Sequence, residues 1–276
     1  MPESPGPIGV FDSGIGGLTV FKEIIGRLPD YDYVYLGDNA RVPYGTRSFE
    51  TVYQYTRECV HHLFDMGCRL VIIACNTASA KALRTIQQRD LVHMPKQFRV
   101  LGVIRPTTEI VGNYSRSRHV GILATQGTVT SLSYAIEINK FFPDIQVYQE
   151  ACPMWVPLVE ANEHTSPGAD YFVKKNLDSL LQKSPRIDTI ILACTHYPLL
   201  LEKIRGFVPE SITLLAQGGI VANSLADYLR RHPEIEQLCT QGKTAQFYTT
   251  ESTEDFNNKA ALFLGKRVES MHLQLQ

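Results

Sequence analysis

One element is written twice in this chain. Leu70-Val-Ile-Ile-Ala-Cys75-Asn-Thr-Ala-Ser79 and Thr189-Ile-Ile-Leu-Ala-Cys194-Thr-His-Tyr-Pro198 are each a continuous apolar run closed by Ala-Cys and small polar residues. A helix-like segment follows each, over residues 80–86 and 199–204. A short unbroken apolar run predicts a strand buried on both faces, as in parallel sheets. Each strand is then expected to deliver its cysteine to a helix start.

The rest of the chain alternates in the same way. Strands are predicted at residues 8–11, 33–36, 99–104, 120–123, 145–148, 212–215, 246–250 and 267–271. Helices are predicted from Leu18 to Arg27, around residues 52–64, from Pro106 as a first helical residue, and at 128–142, 168–182, 219–230 and 255–264. This order implies an α/β fold with parallel sheets covered on both faces. The duplication implies two similar α/β domains, with a break at residues 103–106. From about residue 213 the chain either stays with the second half or returns to the first. Polar residues gather after the strands, as Asp12-Ser13, Asp38-Asn39, Cys75-Asn76-Thr77, Thr125 and Cys194-Thr195-His196. Open α/β sheets bind ligands at the carboxyl ends of their strands, so these residues predict one active-site cleft between the domains.

Two classes of function are excluded early. A net charge of −1 over 276 residues carries none of the basic excess of a nucleic-acid binder. No apolar run approaches the roughly 20 residues of a membrane helix, and residues 1–7 show no signal core. A cytoplasmic protein with reduced thiols is expected. No C-x-x-C pair or Cys/His ligand spacing occurs among the six cysteines, so no metal is expected. Cys59, Cys68 and Cys239 read as core thiols.

Cys75 and Cys194 read differently, because amide donors at a helix start lower a thiol pKa from about 8.5 and favour the thiolate. A disulfide switch needs no polar flanks. An acyl-transfer nucleophile with His196 as base leaves one thiol idle. Acid–base work from opposite faces of a carbon uses both. Asp12-Ser-Gly-Ile-Gly-Gly17 with Asp38 mimics a dinucleotide turn, but Thr stands at position 19 and Asp12 would meet pyrophosphate charge. Asp12 reads equally as a turn residue and as a group that binds an ammonium or orients a thiol. His196 lies two residues from a candidate catalytic thiol. Glu160 follows Trp155-Val-Pro-Leu-Val and, if buried, needs a partner. Tyr44-Gly45 reads as a turn or a substrate clamp.

These stretches resemble the glutamate racemases of the aspartate/glutamate racemase family. The resemblance rests on Phe11-Asp-Ser-Gly-Ile-Gly-Gly-Leu-Thr-Val20, Gly37-Asp-Asn with Pro43-Tyr-Gly45, Ala74-Cys-Asn-Thr-Ala-Ser79, Cys152-Pro through Val159-Glu160, and Ala193-Cys-Thr-His-Tyr-Pro-Leu-Leu200. It implies a cofactor-independent enzyme that interconverts L- and D-glutamate and supplies D-glutamate for peptidoglycan and cell shape. It implies Cys75 and Cys194 as the proton-transferring pair, with Asp12 and His196 assisting them and Glu160 helping His196. Asp12, Ser13, Tyr44, Gly45, Asn76, Thr77, Thr195 and His196 are implied to bind the substrate. It further implies a homodimer, with the C-terminal part completing the first domain: 1–103 plus 213–276, and 104–212. Residues 215–218 lack the Asp expected before the following helix, and Arg105-Pro106 is a variable spot. With no long N-terminal extension, activation by a cell-wall precursor is not expected.

Overall fold

The most apolar runs become the central strands. In the computed structural model, which describes residues 4–275, β1 (Ile8–Asp12), β2 (Tyr33–Gly37) and β3 (Leu70–Ile73) are buried at every position. With β4 (Arg99–Gly102), β9 (Ala245–Thr249) and β10 (Ser270–His272) they form a six-stranded parallel sheet, ordered β10-β9-β2-β1-β3-β4. Its helices are α1 (Leu18–Arg27), α2 (Phe49–Asp65), α3 (Asn76–Lys81), α4 (Leu83–Thr85), α11 (Gly218–Arg231), α12 (Pro233–Glu236) and α13 (Thr253–Leu264). The Ser48 side chain caps α2 by accepting the Thr51 N–H at 3.1 Å. Gly67, at φ +95°, turns the chain just beyond the helix end, where a left-handed residue is required. Residues 1–3 of the N-terminal stretch read above lie outside the described residues.

The second unit is a four-stranded parallel sheet ordered β6-β5-β7-β8. Here β5 (His119–Ala124) and β7 (Thr189–Ala193) are fully buried, whereas β6 (Gln146–Ala151) is a half-exposed edge strand with a mixed sequence. The fourth strand is β8 (Thr213–Ala216). The helices are α5 (Ile104–Thr108), α6 (Gln126–Ser131), α7 (Ser133–Phe141), α8 (Trp155–Glu160), α9 (Pro167–Gln182) and α10 (Leu201–Phe207).

The chain divides into Met1–Val103 with Gly218–Gln276, and Ile104–Gln217. The return to the first unit therefore falls at Gly218, not at residue 213, because β8 pairs with β7 through Thr189↔Thr213 to Leu192↔Ala216. Gln217, in the stretch lacking the expected Asp, is buried and donates to Thr107 Oγ1 (3.0 Å) and Tyr134 Oη (2.6 Å). Pro106 is the third residue of α5 rather than the first. It is tolerated there because the first four helical N–H groups have no partner within the helix.

Candidate active site

In the six-stranded sheet the chain leaves β1 toward β2 on one side, and β3 lies on the other. That makes the β1/β3 boundary the topological switch point, where strand-end loops diverge and leave a crevice. Phe11 pairs with Ile73, and the Ala74 N–H reaches Phe11 O at 2.8 Å, so residues 12–13 and 74–75 emerge side by side. Ser13 Oγ lies 3.2 Å from Cys75 Sγ. Cys75 is the N-cap of α3, its sulfur accepting the Ala78 N–H at 3.4 Å. A donor of this kind favours the thiolate over the thiol. Asn76 and Thr77 follow in the first turn, both buried.

Asp12 is buried in the same crevice and accepts the Gly14 N–H on Oδ2 at 3.0 Å. Tyr35 donates to Gly14 O at 3.0 Å. Burial first, then the negative charge of Asp12 and Cys75, holds the Tyr35 phenol well above its ordinary pKa. A Cβ at Gly17 would stand 2.4 Å from Asp12 Cβ and 2.9 Å from the Tyr35 hydroxyl. The glycine-rich turn is thus shaped around an aspartate. This is the opposite of a pyrophosphate cradle, whose backbone N–H groups must point at an anion.

The second sheet repeats the arrangement with its own switch point between β5 and β7. Ala124 pairs with Ala193, so Thr125 and Cys194 leave adjacent strand ends together. Thr125 caps α6, accepting the Thr128 N–H at 3.3 Å. The sequence places Thr125 among the strand-end polar residues but assigns it no role, since the β5–β7 register that sets it beside Cys194 is not written locally.

Cys194 departs from the predicted geometry, because it does not begin a helix. In the first element the Ser79 N–H closes an α-turn onto Cys75 O at 2.9 Å. The corresponding residue after Cys194 is Pro198, which has no N–H. The Tyr197 N–H bonds Cys194 O instead, at 3.1 Å, and a 3₁₀ turn over Tyr197–Leu200 precedes α10. The attendant group is therefore a side chain. His196 Nδ1 lies 3.9 Å from Cys194 Sγ and 3.4 Å from Thr195 Oγ1. His196 Nε2 lies 3.0 Å from Glu160 Oε1, at the end of α8. Burial alone would lower the imidazole pKa. The hydrogen bonds and negative charge of Cys194 and Glu160 outweigh it and push His196 up to about 10. The imidazolium is the form that lets both ring nitrogens donate, one to the carboxylate and one to the sulfur.

Tyr44 belongs to the core of the first unit, its hydroxyl 2.5 Å from Asp38 Oδ2. Gly45 follows it in a turn closed by the Arg47 N–H to Tyr44 O at 3.1 Å. All six cysteines are free. Burial pushes Cys68 and Cys239 to about 12 and holds Cys59 and Cys152 well above the ordinary thiol value, so these four are neutral packing groups. Among the described residues no cluster of three or more His, Cys, Asp or Glu is placed to hold a metal ion, and no helix is long and apolar enough to cross a membrane.

The sequence pattern of the Asp/Glu/Hydantoin racemase family matches residues 16–223. A glutamate racemase of Ruegeria is 39% identical over 271 residues, covering 95% of this chain and 97% of that protein. The crystal structure of a glutamate racemase isoform from Bacillus anthracis superposes with a TM-score of 0.89 at 33% identity, covering 98% of both chains. A Francisella tularensis glutamate racemase, solved in complex with D-glutamate, gives a TM-score of 0.86 at 31% identity, covering 100% of this chain and 98% of that one. With two parallel-sheet α/β units, a strand-end cysteine at each switch point and relatives of this likeness, the chain belongs to the Asp/Glu/Hydantoin racemase family.

Proposed function

We propose that this protein is a cofactor-independent glutamate racemase, using Cys75 and Cys194 as two bases on opposite faces of the substrate α-carbon. The observation that carries this reading is the placement of one cysteine at the switch point of each sheet, each with its own polar attendant. The close relatives are glutamate racemases, and the Francisella relative binds D-glutamate. In one direction the Cys75 thiolate takes the α-proton, the electron pair spreads into the α-carboxylate, and the Cys194 thiol delivers its proton to the other face. The reverse direction exchanges the two roles.

A thiol of pKa near 8.5 is a poor match for so weak a carbon acid. Preorganised donors aimed at the developing charge, in a site that excludes water, supply the difference. We assign Asp12 and Ser13 to Cys75, and His196 to Cys194, with Glu160 holding the imidazolium. Asn76, Thr77, Thr195, Tyr44 and Gly45 complete the substrate site. The product D-glutamate feeds peptidoglycan synthesis, in the cytoplasm and from a homodimer.

Polarimetry of L-glutamate with purified protein and no added cofactor tests this directly. Optical rotation should decay to zero, and L-aspartate should react far more slowly. A stable rotation, activity only with pyridoxal phosphate, or faster turnover of aspartate would each contradict the reading.

A further inference from the structure

The segment between β2 and α2 carries Tyr44 and Gly45, yet little backbone bonding fixes it. Val42 to Tyr44 lie outside any helix or strand, and Pro43 has no N–H to give. The anchor is a cluster of side chains beneath the segment. Asp38, at 0% exposure, accepts from Tyr44 Oη at 2.5 Å, from Arg41 Nε at 2.6 Å and from Thr250 Oγ1 at 2.9 Å. Thr250 Oγ1 also accepts the Ala40 N–H at 3.0 Å. The Arg41 guanidinium reaches Glu58 Oε2 through Nη1 at 2.5 Å and Cys59 Sγ through Nη2 at 3.3 Å. Its plane lies over the Tyr55 ring, 4.2 Å from the centroid, and Tyr55 packs on Tyr44 at 5.8 Å.

We propose that Arg41 is a positioning residue for the Tyr44–Gly45 segment of the substrate site. It acts through Asp38, which holds the Tyr44 hydroxyl, and through Tyr55, which holds the Tyr44 ring. This rests on the reading of Tyr44 and Gly45 as substrate contacts. A buried carboxylate persists in charged form only when it is paired and hydrogen-bonded, and Arg41 is the cation on Asp38. The planar fork spans two carboxylates and a ring face at once, which an ammonium cannot do. Losing it removes the donor and the charge that hold the Asp38 carboxylate in place, and Tyr44 moves with Asp38. The reacting atoms are untouched, so the effect falls on substrate binding.

The outer side of this cluster opens on a cavity of about 530 Å³, lined by Asp38, Arg41, Glu58, Thr250, His272 and Gln274. A shortened side chain at position 41 therefore leaves room that a small guanidinium can enter. In the full-length protein, Arg41→Ala should raise KM for both glutamate enantiomers about tenfold, with kcat within about threefold of wild type. Tyr44→Phe should raise KM in the same sense, and the double variant should not exceed the larger single effect, since both act through one chain of contacts. Methylguanidine at millimolar concentration should restore KM in Arg41→Ala and not in Tyr44→Phe. An unchanged KM, additive effects, or a fall in kcat alone would overturn the proposal. If Arg41→Ala does not fold, Arg41→Lys should give a smaller KM rise, and an unchanged KM there would equally overturn it. Amide exchange over residues 39–47 separates this proposal from the racemase reading. Should the wild-type protein not racemise glutamate, that reading fails. Faster exchange in Arg41→Ala would still support positioning, and unchanged exchange would refute it.

Discussion

Glu160→Gln isolates what the carboxylate does for His196. The glutamine keeps the length and a hydrogen-bond acceptor but removes the charge 3.0 Å from Nε2. Two unit charges at that distance interact by about 5 kcal/mol at an effective dielectric of 20, which sets a ceiling. The Glu160 side chain is 30% exposed, so solvent keeps the actual loss well below it. The difference between a charge-assisted and a neutral hydrogen bond, about 1–2 kcal/mol, is the better guide. At about 1.4 kcal/mol per pKa unit, His196 should fall from its raised value by about one unit. The sign for stability follows from the raised folded value. The imidazolium stabilises the wild-type protein fully below the unfolded pKa of 6.5, and that stabilisation is lost as pH rises through about 10. Histidine-selective NMR titration reads the pKa, and melting temperature between pH 7 and pH 10.5 reads the linkage. The variant should show the lower pKa and the smaller loss of melting temperature across that range. Because the two enantiomers have equal free energy, kcat/KM must fall equally in both directions, while kcat and KM separately need not. A His196 pKa that stays near 10, or a steeper alkaline loss in the variant, would refute the reasoning.

Gly17→Ala should be among the most damaging single-methyl changes in the first unit. The added carbon meets Asp12 Cβ at 2.4 Å and the Tyr35 hydroxyl at 2.9 Å, so Asp12 must move. Overpacking of this kind costs about 1–3 kcal/mol, read by urea unfolding, and racemisation should fall further than stability does. Ser13→Ala removes the hydroxyl 3.2 Å from Cys75 Sγ. Iodoacetamide modification followed against pH should report a raised Cys75 pKa, with Cys194 unchanged; a lowered Cys75 pKa would contradict the assignment.

The strands were the most legible part of the chain, because a buried parallel strand is written as an apolar run of its own length. All ten predicted strands coincide with β1–β10 to within a few residues. Strand order is not written locally, since it depends on pairing between distant segments. That is why the switch points, and the place of Thr125 beside Cys194, emerge only from the folded chain. The same limit applies to residues 213–216, legible as a strand but not as a member of the second sheet. Pro198 is different, because the signal was present: a proline four residues after Cys194 forbids the bond that closes the first element's helix. The apparent duplicate was therefore never going to give two helix starts. The apolar context of Glu160 asks only for a partner; it is the resemblance, not the local sequence, that names His196, 36 residues away. The role of Arg41 is not written locally, because its partners Glu58 and Asp38 form a cluster only once Thr250, 212 residues beyond Asp38, closes it.

Two cysteines acting on opposite faces of one carbon is the central claim, and isotope transfer from solvent tests it most directly. In deuterated water the wild-type protein should convert L-glutamate to D-glutamate carrying deuterium at the α-carbon. Cys75→Ser and Cys194→Ser should each abolish the inversion, with the fold intact by circular dichroism. Full racemisation in either variant, or D-glutamate that retains the substrate's α-hydrogen, would contradict the account.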